Sequence, residues 1–302
     1  MDLMTDIGAS ILAKLKNKAK ESNISYQQCL QLFFQEEFLR RLSKSPYEKN
    51  FILKGGLFIY TLTNFQSRAT VDIDFLLKRI DNSTERLNEV IKEIISVQTG
   101  LNDIVILEAG EFVPITIQRE YNGLSCQISG RIKKVHVPFN IDIGVGDIIY
   151  PKPEKRSIQT QLDGFDKPKI YTYSLESTIA EKFDAILQRL ELTGRMKDFY
   201  DIYYLARTFD FDGSKLCKAL KETLRNRKTD YNKDSFNQII QLADNHDIQV
   251  RWRYFQKTIN QTGLSLSEVM SLIDKFLHPV FDSLVFEKIP IINWNAKEME
   301  WK

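Results

Sequence analysis

The sequence predicts a mixed α/β (α+β) protein, with a strand-and-helix domain in residues 1–165 and a helical domain in residues 166–302. Two observations carry this prediction. Residues 48–165 alternate between strand and helix patterns, whereas only helical periodicity is found from Ser174 onward. Ahead of both, residues 5–45 have the apolar spacing of helices. The 302 residues are enough for two compact units with a sizeable core.

The composition is that of an ordinary globular protein, with 43% hydrophobic and 27% charged residues. The sequence has no apolar run long enough for a transmembrane helix, and residues 1–6 lack the basic-then-apolar pattern of a signal peptide. Its cysteines are isolated and its histidines scattered, which argues against a zinc site and against covalent acyl chemistry. We therefore expect a cytoplasmic protein with reduced thiols and no membrane association.

A glycine pair lies at the first strand-to-helix junction. Residues 51–53 read as a short buried strand, Gly55 and Gly56 end it, and residues 57–62 read as the start of a helix. At such a junction, backbone N–H groups converge with the positive end of the helix dipole and favour an anion. The turn is not a Walker loop, because no Gly-Lys-Ser/Thr follows it.

The strand predicted over residues 70–77 displays two carboxylates. Side chains alternate along a strand, so Asp72 and Asp74 point to one face while Val71 and Ile73 point to the other. Adjacent carboxylates repel each other unless cations lie between them, and ligand sets made only of oxygen suit Mg²⁺ or Mn²⁺. With phosphates at the glycine turn, a nucleoside triphosphate (NTP) would lie between turn and metal. The alternative is an ordinary turn and a surface strand with two solvated aspartates.

These residues resemble a known family. The Lys54-Gly55-Gly56 turn and the Arg68-x-Thr70-x-Asp72-x-Asp74-Phe75 strand look like those of the AbiEii toxins, as do two later motifs. AbiEii toxins are nucleotidyltransferase-fold proteins from bacterial abortive-infection toxin–antitoxin pairs, and the MenT toxins are their relatives. The resemblance implies a nucleotidyltransferase-fold core with a third carboxylate on a later strand, and Arg68 is a candidate to assist in nucleotide binding.

The third carboxylate is expected within residues 134–147. Asp142 alternates with Ile141 and Ile143, which again gives an apolar back and an acid in front, and the stretch resembles the family's Asp-Ile-Gly-x-Gly-Asp segment. Asp142 could bind a second metal or take the proton of the attacking group. Asp147 is the weaker candidate, because the glycines before it indicate that the strand is breaking up.

A helix capped by Ser174 carries the next motif. It has an apolar stripe at helical spacing, and Lys182 lies beside that stripe. By its match to the family's Ala-Glu-Lys motif, Lys182 is expected to contact the phosphates of the nucleotide. The alternative is a solvated helix lysine.

The segment from Arg195 to Asp201 resembles the family's Arg-x-Lys-Asp-x-x-Asp helix opening. Asp198 and Asp201 are three residues apart and so share one helix face, where Arg195 and Lys197 could pair with them on a solvated surface. However, the helix dipole disfavours cations at a helix N-terminus, and an anionic ligand nearby would remove that conflict. Asp198 is therefore a candidate catalytic residue and Asp201 a candidate nucleotide-binding residue.

Basic residues are concentrated in residues 214–257, which hold ten Lys or Arg and five acids, although the net charge of the chain is only +2. Lys218 and Arg225 can share one helix face there, and alternate lysines between Lys14 and Lys20 form a second strip. Each strip is either a solvated face or a groove for RNA phosphates. The tail after Phe286 is expected to run over the surface.

The resemblance implies a toxin that transfers a nucleoside monophosphate from an NTP, needs Mg²⁺ or Mn²⁺, and is neutralised by an antitoxin encoded nearby. For the relatives the acceptor is a tRNA 3′ end, which makes tRNA the expected acceptor. Two alternatives remain open: a nucleotidyltransferase that modifies a protein or a small molecule, and a non-catalytic NTP-binding module. The presence of all three candidate carboxylates argues against the second.

Overall fold

The structure is a computed structural model that describes residues 6–115, 123–290 and 292–302. The chain forms two compact units. The first comprises the described residues of Met1–Gly146 together with Glu154–Thr172, and the second comprises those of Asp147–Pro153 and Tyr173–Lys302. A domain boundary after residue 165 stays a prediction.

The first unit contains one sheet, two helices that precede its strands in the sequence and two helices that lie between them. Its helices are α1 Ile7–Glu21, α2 Tyr26–Lys44, α3 Gly55–Leu62 and α4 Thr84–Ser96. Its strands are β1 Phe51–Lys54, β2 Asp72–Leu77, β3 Ile106–Pro114, β4 Leu124–Ile132, β5 Val135–Gly144, β6 Glu154–Ser157 and β7 Lys169–Thr172.

These strands form a seven-stranded mixed sheet in the order β3-β4-β5-β2-β1-β7-β6. Strands β2 and β5 pair in parallel, as do β1 and β7, while the other neighbours are antiparallel. Alternation explains the burial: Ile73 and Phe75 on β2, and Ile141 and Ile143 on β5, are at most 1% exposed. The predicted mixed α/β fold is confirmed.

Helix α2 is a long and mostly buried helix of this unit. A capping box formed by Ser25 and Gln28 begins it, and most of its residues are buried. Inside the core, Glu37 accepts hydrogen bonds from the Nε atoms of Arg40 and Arg41 at 2.8 and 2.9 Å.

The second unit is largely helical. Its helices are α5 Leu175–Leu187, α6 Met196–Thr208, α7 Gly213–Asn226, α8 Ser235–Gln241, α9 His246–Thr258 and α10 Leu266–Val285. The Ser174 hydroxyl accepts a hydrogen bond from the Ser177 N–H, which confirms the predicted cap of α5. No helix in the described parts of the chain is long and apolar enough to cross a membrane.

A small antiparallel sheet in this unit was not predicted. It consists of β8 Phe211–Asp212, β9 Asn293–Asn295 and β10 Glu300–Trp301, in the order β10-β9-β8. The expectation of a surface tail was wrong for Trp294, which is 1% exposed and donates a hydrogen bond from Nε1 to the Ala206 carbonyl at 2.6 Å. Its strands are too short for an alternating pattern, and the burial of Trp294 depends on contacts distant in sequence.

Candidate active site

Four polar side chains form a row across the sheet of the first unit. In the register of the strands, Lys54 on β1 pairs with Asp74 on β2, Asp74 pairs with Asp142 on β5, and Asp142 pairs with Ser125 on β4. Directly paired residues point to the same side of a sheet, so a cation, two carboxylates and a hydroxyl share one face. The Ser125 hydroxyl donates a hydrogen bond to Asp142 Oδ1 at 2.6 Å. The sheet therefore brings Asp74 and Asp142 side by side on neighbouring strands, as the family resemblance implied.

Asp72 lies on the same face of β2 as Asp74, one row away. Its register partner on β5 is Asn140, whose Nδ2 is 3.5 Å from Asp72 Oδ1. Asp72 and Asp74 are partly exposed, while Ile73 between them is fully buried. Three carboxylates therefore share one face of two neighbouring strands.

The entry to β2 differs from the prediction. Strand β2 begins at Asp72, and the Val71 side chain is 49% exposed instead of facing the core. The Val71 carbonyl accepts hydrogen bonds from the side-chain amides of Gln31 and Gln35 on α2, at 2.9 and 2.8 Å. These two glutamines anchor the backbone just before the first carboxylate, because a side-chain amide can donate to a carbonyl that has no partner in the sheet.

Gly55 fits closely against Asp74. A Cβ atom on Gly55 would lie 2.1 Å from Asp74 Oδ2, and the φ angle of +69° is one that residues with side chains rarely adopt. A Cβ atom on Gly56 would lie 2.8 Å from Thr70 Oγ1 and 3.4 Å from Arg68 Nη2. Asp74, Thr70 and Arg68 therefore lie close around the glycine turn. Helix α3 begins at Gly55 itself, two residues before the predicted helix start at Leu57.

The donor set of this face fits a hard divalent cation in kind. Asp72, Asp74 and Asp142 supply only oxygen, and like charges on adjacent strands favour a bound cation. Among the described residues, however, no group of three or more His, Cys, Asp or Glu side chains is placed to hold a metal ion. The three carboxylates would have to converge on an ion, and their role as metal ligands stays a prediction.

Lys182 forms a buried cluster with two aspartates in the second unit. Its Nζ lies 3.1 Å from Asp198 Oδ1 and 2.5 Å from Asp201 Oδ2, and Arg195 Nε also pairs with Asp198. Lys182 is 8% exposed, and the two aspartates are at most 1% exposed. The alternatives of a solvated helix lysine and of solvated surface salt bridges were therefore wrong. The roles of these residues in catalysis and nucleotide binding stay predictions.

The charges of Lys182 and Arg195 stabilise the ionised form of Asp198. Burial alone would raise the pKa of the Asp198 carboxyl, but the two cations and their hydrogen bonds lower the pKa from 3.8 to about 2. Two cations and two carboxylates balance within this cluster.

Asp147 belongs to a different cluster from Asp142. Strand β5 ends at Gly144, and the Asp147 carboxylate pairs with Arg227 Nη2 at 2.9 Å inside the second unit. Arg227 also pairs with Glu181 and Asp184, both at 3.1 Å. The contacts of Asp147 indicate a structural ion cluster, and its ranking below Asp142 as a site residue stays a prediction.

Sequence reasoning missed Ser125, Lys54 and the Gln31–Gln35 pair as parts of the site. The antiparallel register of β4 with β5 places Ser125 beside Asp142, and a spacing pattern within one strand carries no such information. The lysine of the Lys54-Gly55-Gly56 turn was part of the resemblance, but its position beside Asp74 follows only from the pairing of β1 with β2.

The glycine turn and the carboxylate strands indicate an enzyme that binds nucleotides. Comparison with known families identifies which family of such enzymes the chain belongs to. The family described as "Nucleotidyl transferase AbiEii toxin, Type IV TA system" matches residues 37–285. That is more than half of the chain, so this protein belongs to the AbiEii family of nucleotidyltransferase toxins. Membership implies an NTP substrate and an antitoxin partner.

A solved structure shows the same fold. MenT4, a nucleotidyltransferase toxin from Mycobacterium tuberculosis H37Rv, is 14% identical with a TM-score of 0.50, and the alignment covers 91% of this chain and 99% of that one. JHP933 from Helicobacter pylori is 16% identical with a TM-score of 0.49, covering 86% of this chain and 97% of that one. Comparison with curated proteins finds no match.

Proposed function

We propose that this toxin transfers a nucleoside monophosphate from an NTP to the 3′ end of a tRNA. The observation that carries the proposal is the placement of Asp74: it pairs in register with Asp142 and contacts the Gly55 position of the turn. A triphosphate held at the turn would have its reacting phosphate beside these carboxylates. The tRNA acceptor is supported by the family resemblance of the sequence motifs and by the local excess of basic residues between 214 and 257.

The reaction would proceed by in-line displacement. The acceptor hydroxyl oxygen forms a bond to the α-phosphorus, the bond from that phosphorus to the pyrophosphate oxygen breaks, and pyrophosphate leaves with the electron pair. Divalent metal ions held by Asp72, Asp74 and Asp142 would neutralise the charge that develops on the phosphate oxygens. Asp142 either accepts the proton of the acceptor hydroxyl or completes this ligand set while the proton passes to solvent. Its bond from Ser125 fixes the orientation of the carboxylate.

The backbone of the turn and nearby cations would hold the triphosphate. The N–H groups of Gly55 and Gly56 lie at the N-terminus of α3, where the helix dipole favours an anion. Arg68 lies against Gly56 and offers a planar donor group for phosphate oxygens. We propose that Lys182 also contacts phosphate and that Asp198 and Asp201 act as positioning residues, because both carboxylates bond its ammonium group.

The acceptor class is tested by following label from each of the four NTPs. The purified protein is incubated with labelled NTP and Mg²⁺, in the presence of total RNA, total protein or neither, with EDTA as the negative control. Label in RNA of tRNA size supports the proposal. Label in protein or in a small molecule would favour a nucleotidyltransferase that modifies one of those acceptors instead of tRNA. Measurable NTP binding without any transfer would favour a non-catalytic NTP-binding module.

Toxicity is tested by expressing the gene with and without its neighbour. Growth arrest that the neighbouring gene relieves is the result expected of a type IV toxin–antitoxin pair. Growth that is unaffected at a confirmed level of the protein would contradict the assignment of this chain as an active toxin.

A further inference from the structure

The buried guanidinium of Arg40 has donors that the described part of the chain does not satisfy. Arg40 is 2% exposed, and its Nε donates to Glu37 at 2.8 Å. Its Nη1 and Nη2 are buried and have no hydrogen-bond partner there. The group instead lies over the rings of Phe33 and Phe165, at 5.7 and 5.4 Å from their centroids. Leaving a buried donor unpaired costs about 1–3 kcal/mol, so the two nitrogens indicate an acceptor that the described residues do not supply.

Arg40 lines a cavity of about 320 Å³ that is rich in cations. The other charged residues of the lining are Lys44, Lys155, Lys167, Lys169 and Asp166. Lys44 pairs with Asp166 at 3.2 Å, and because the two side chains are 42% and 75% exposed, this pair holds its charges loosely. Lys155 pairs with Glu48, which is 16% exposed, and Lys167 donates a hydrogen bond to Gln159 Oε1 at 2.7 Å. Cations outnumber carboxylates here, so the cavity favours an anion.

The two buried carboxyls near Arg40 do not cancel the cations around them at neutral pH. Glu37 bonds Arg40 and Arg41 at once, so one carboxylate faces two guanidinium groups. Glu36 lies one helical turn before Arg40, and burial raises its pKa from 4.5 to about 7 against the opposing effect of Arg40. A substantial part of the Glu36 population is therefore protonated near pH 7. Its Oε1 accepts a hydrogen bond from the Gln161 N–H at 2.9 Å and not from Arg40.

Lys169, which lines the cavity, and the glycine turn lie at opposite ends of two paired strands. Strands β1 and β7 are parallel, with Leu53 level with Thr172. Gly55 follows the last residue of β1, whereas Lys169 is the first residue of β7. A ligand in the cavity is therefore separate from a triphosphate held at the turn.

We propose that this cavity binds a phosphate group. The buried Arg40 would hold it on one side, and the exposed side chains of Lys44, Lys155, Lys167 and Lys169 would hold it on the other. Arginine is suited to the buried position, because its planar fork presents paired donors to phosphate oxygens. The phosphate is supplied either by the backbone of a polynucleotide or by a free phosphate ion. Both have the same anionic oxygens, and the experiment separates them.

The test is calorimetric titration, in EDTA, of inorganic phosphate and of a short single-stranded RNA into matched variants. The cavity variant combines Lys44→Ala with Lys169→Ala, both exposed, and the control combines Lys92→Ala with Lys134→Ala, exposed lysines elsewhere in the same unit. The cavity variant is expected to weaken phosphate binding about tenfold, which corresponds to about 1.4 kcal/mol, while the control leaves it unchanged. Arg40→Lys should also weaken it, with melting temperature as its folding check.

The RNA titration identifies the source of the phosphate. An RNA affinity that falls with phosphate affinity in the cavity variant assigns the site to a polynucleotide, and a fall for phosphate alone assigns it to the free ion. No phosphate binding, or equal binding in cavity and control variants, would overturn the proposal. Asp74→Asn should bind phosphate at the cavity like the wild type, so loss of transfer there leaves this inference standing.

Discussion

Acidic residues adjoin cations in both units, but the two regions bury their charges differently. On the sheet, Asp72, Asp74 and Asp142 are partly exposed and share one face of neighbouring strands. Among the helices, Asp198 and Asp201 are at most 1% exposed and bond the ammonium of Lys182. A partly exposed carboxylate can exchange its partners for a ligand, whereas a buried one cannot lose its partner without a large cost. Both units thus contain two closely spaced aspartates, but only the pair on the sheet is exposed enough to bind a ligand.

The largest expected effect is on stability, in the helical cluster. Lys182→Ala would leave Asp198 and Asp201 buried without their shared cation, and we expect a loss of about 3–5 kcal/mol in the free energy of unfolding. Arg225→Ala is the control, because Arg225 pairs with Glu222 at the surface, and it should cost less than about 1 kcal/mol. Denaturant unfolding measures both. Equal, small losses would show that burial does not distinguish the two pairs.

The buried carboxyls of the two units should respond to pH in opposite directions. The folded pKa of Glu36 is raised from 4.5 to about 7, so its contribution is most favourable below pH 4.5 and declines by about 3 kcal/mol as the pH rises to 7. The folded pKa of Asp198 is lowered from 3.8 to about 2, so about 2 kcal/mol present above pH 4 is lost as the pH falls towards 2.

Unfolding measured between pH 2 and pH 8 checks both slopes. Glu36→Gln should remove the decline between pH 4.5 and 7, because glutamine keeps the shape and does not titrate. Asp198→Asn should be less stable at pH 7 and should flatten the acid limb. An unchanged slope in either variant would mean that another group is responsible for it.

Alanine variants of two glycines with positive φ distinguish the effect of backbone strain from the effect of a clash with Asp74. Gly55 and Gly100 have φ angles of +69° and +85°, but only at Gly55 would a Cβ atom meet another group, Asp74 Oδ2 at 2.1 Å, since nothing lies within 4 Å at Gly100. Both alanine variants should lose about 1 kcal/mol of stability from strain. Only Gly55→Ala should also lose transfer activity, because Asp74 must move. Full activity of Gly55→Ala would show that the close approach is dispensable.

The smallest expected effect concerns the basic strip of the second unit. If Lys218 and Arg225 neutralise acceptor phosphates, replacing both by alanine should spare NTP binding and shallow the salt dependence of RNA binding by about one log–log unit for each phosphate that is no longer neutralised. The structure places Lys218 Nζ 4.5 Å from the centroid of the Tyr150 ring. An unchanged salt slope with full activity on RNA would move the acceptor groove elsewhere, with the Lys14–Lys20 strip as the next candidate.

The sequence alone predicted those parts of the site whose signal is local. The turn at Gly55, the strand with Asp72 and Asp74, the strand with Asp142 and the cap of α5 each depend on neighbours in the chain, and all are present. Burial and partners across the fold are not local. Lys182 meets Asp201 only because α5 packs against α6, and Ser125 meets Asp142 only through the register of β4. Short strands such as β9 also lack a periodic signal.

The central claim is that the carboxylates on the sheet carry out the chemistry, and its most direct test is the rate of Mg²⁺-dependent NMP transfer. Asp72→Asn and Asp74→Asn are compared with Asp103→Asn, an exposed aspartate in the same unit. Asparagine keeps the shape but removes the charge, so both site variants should lose at least about a hundredfold in rate while their melting temperatures stay near that of the wild type. Asp103→Asn should retain full activity. Wild-type transfer or toxicity by either site variant, at matched expression, would contradict the account.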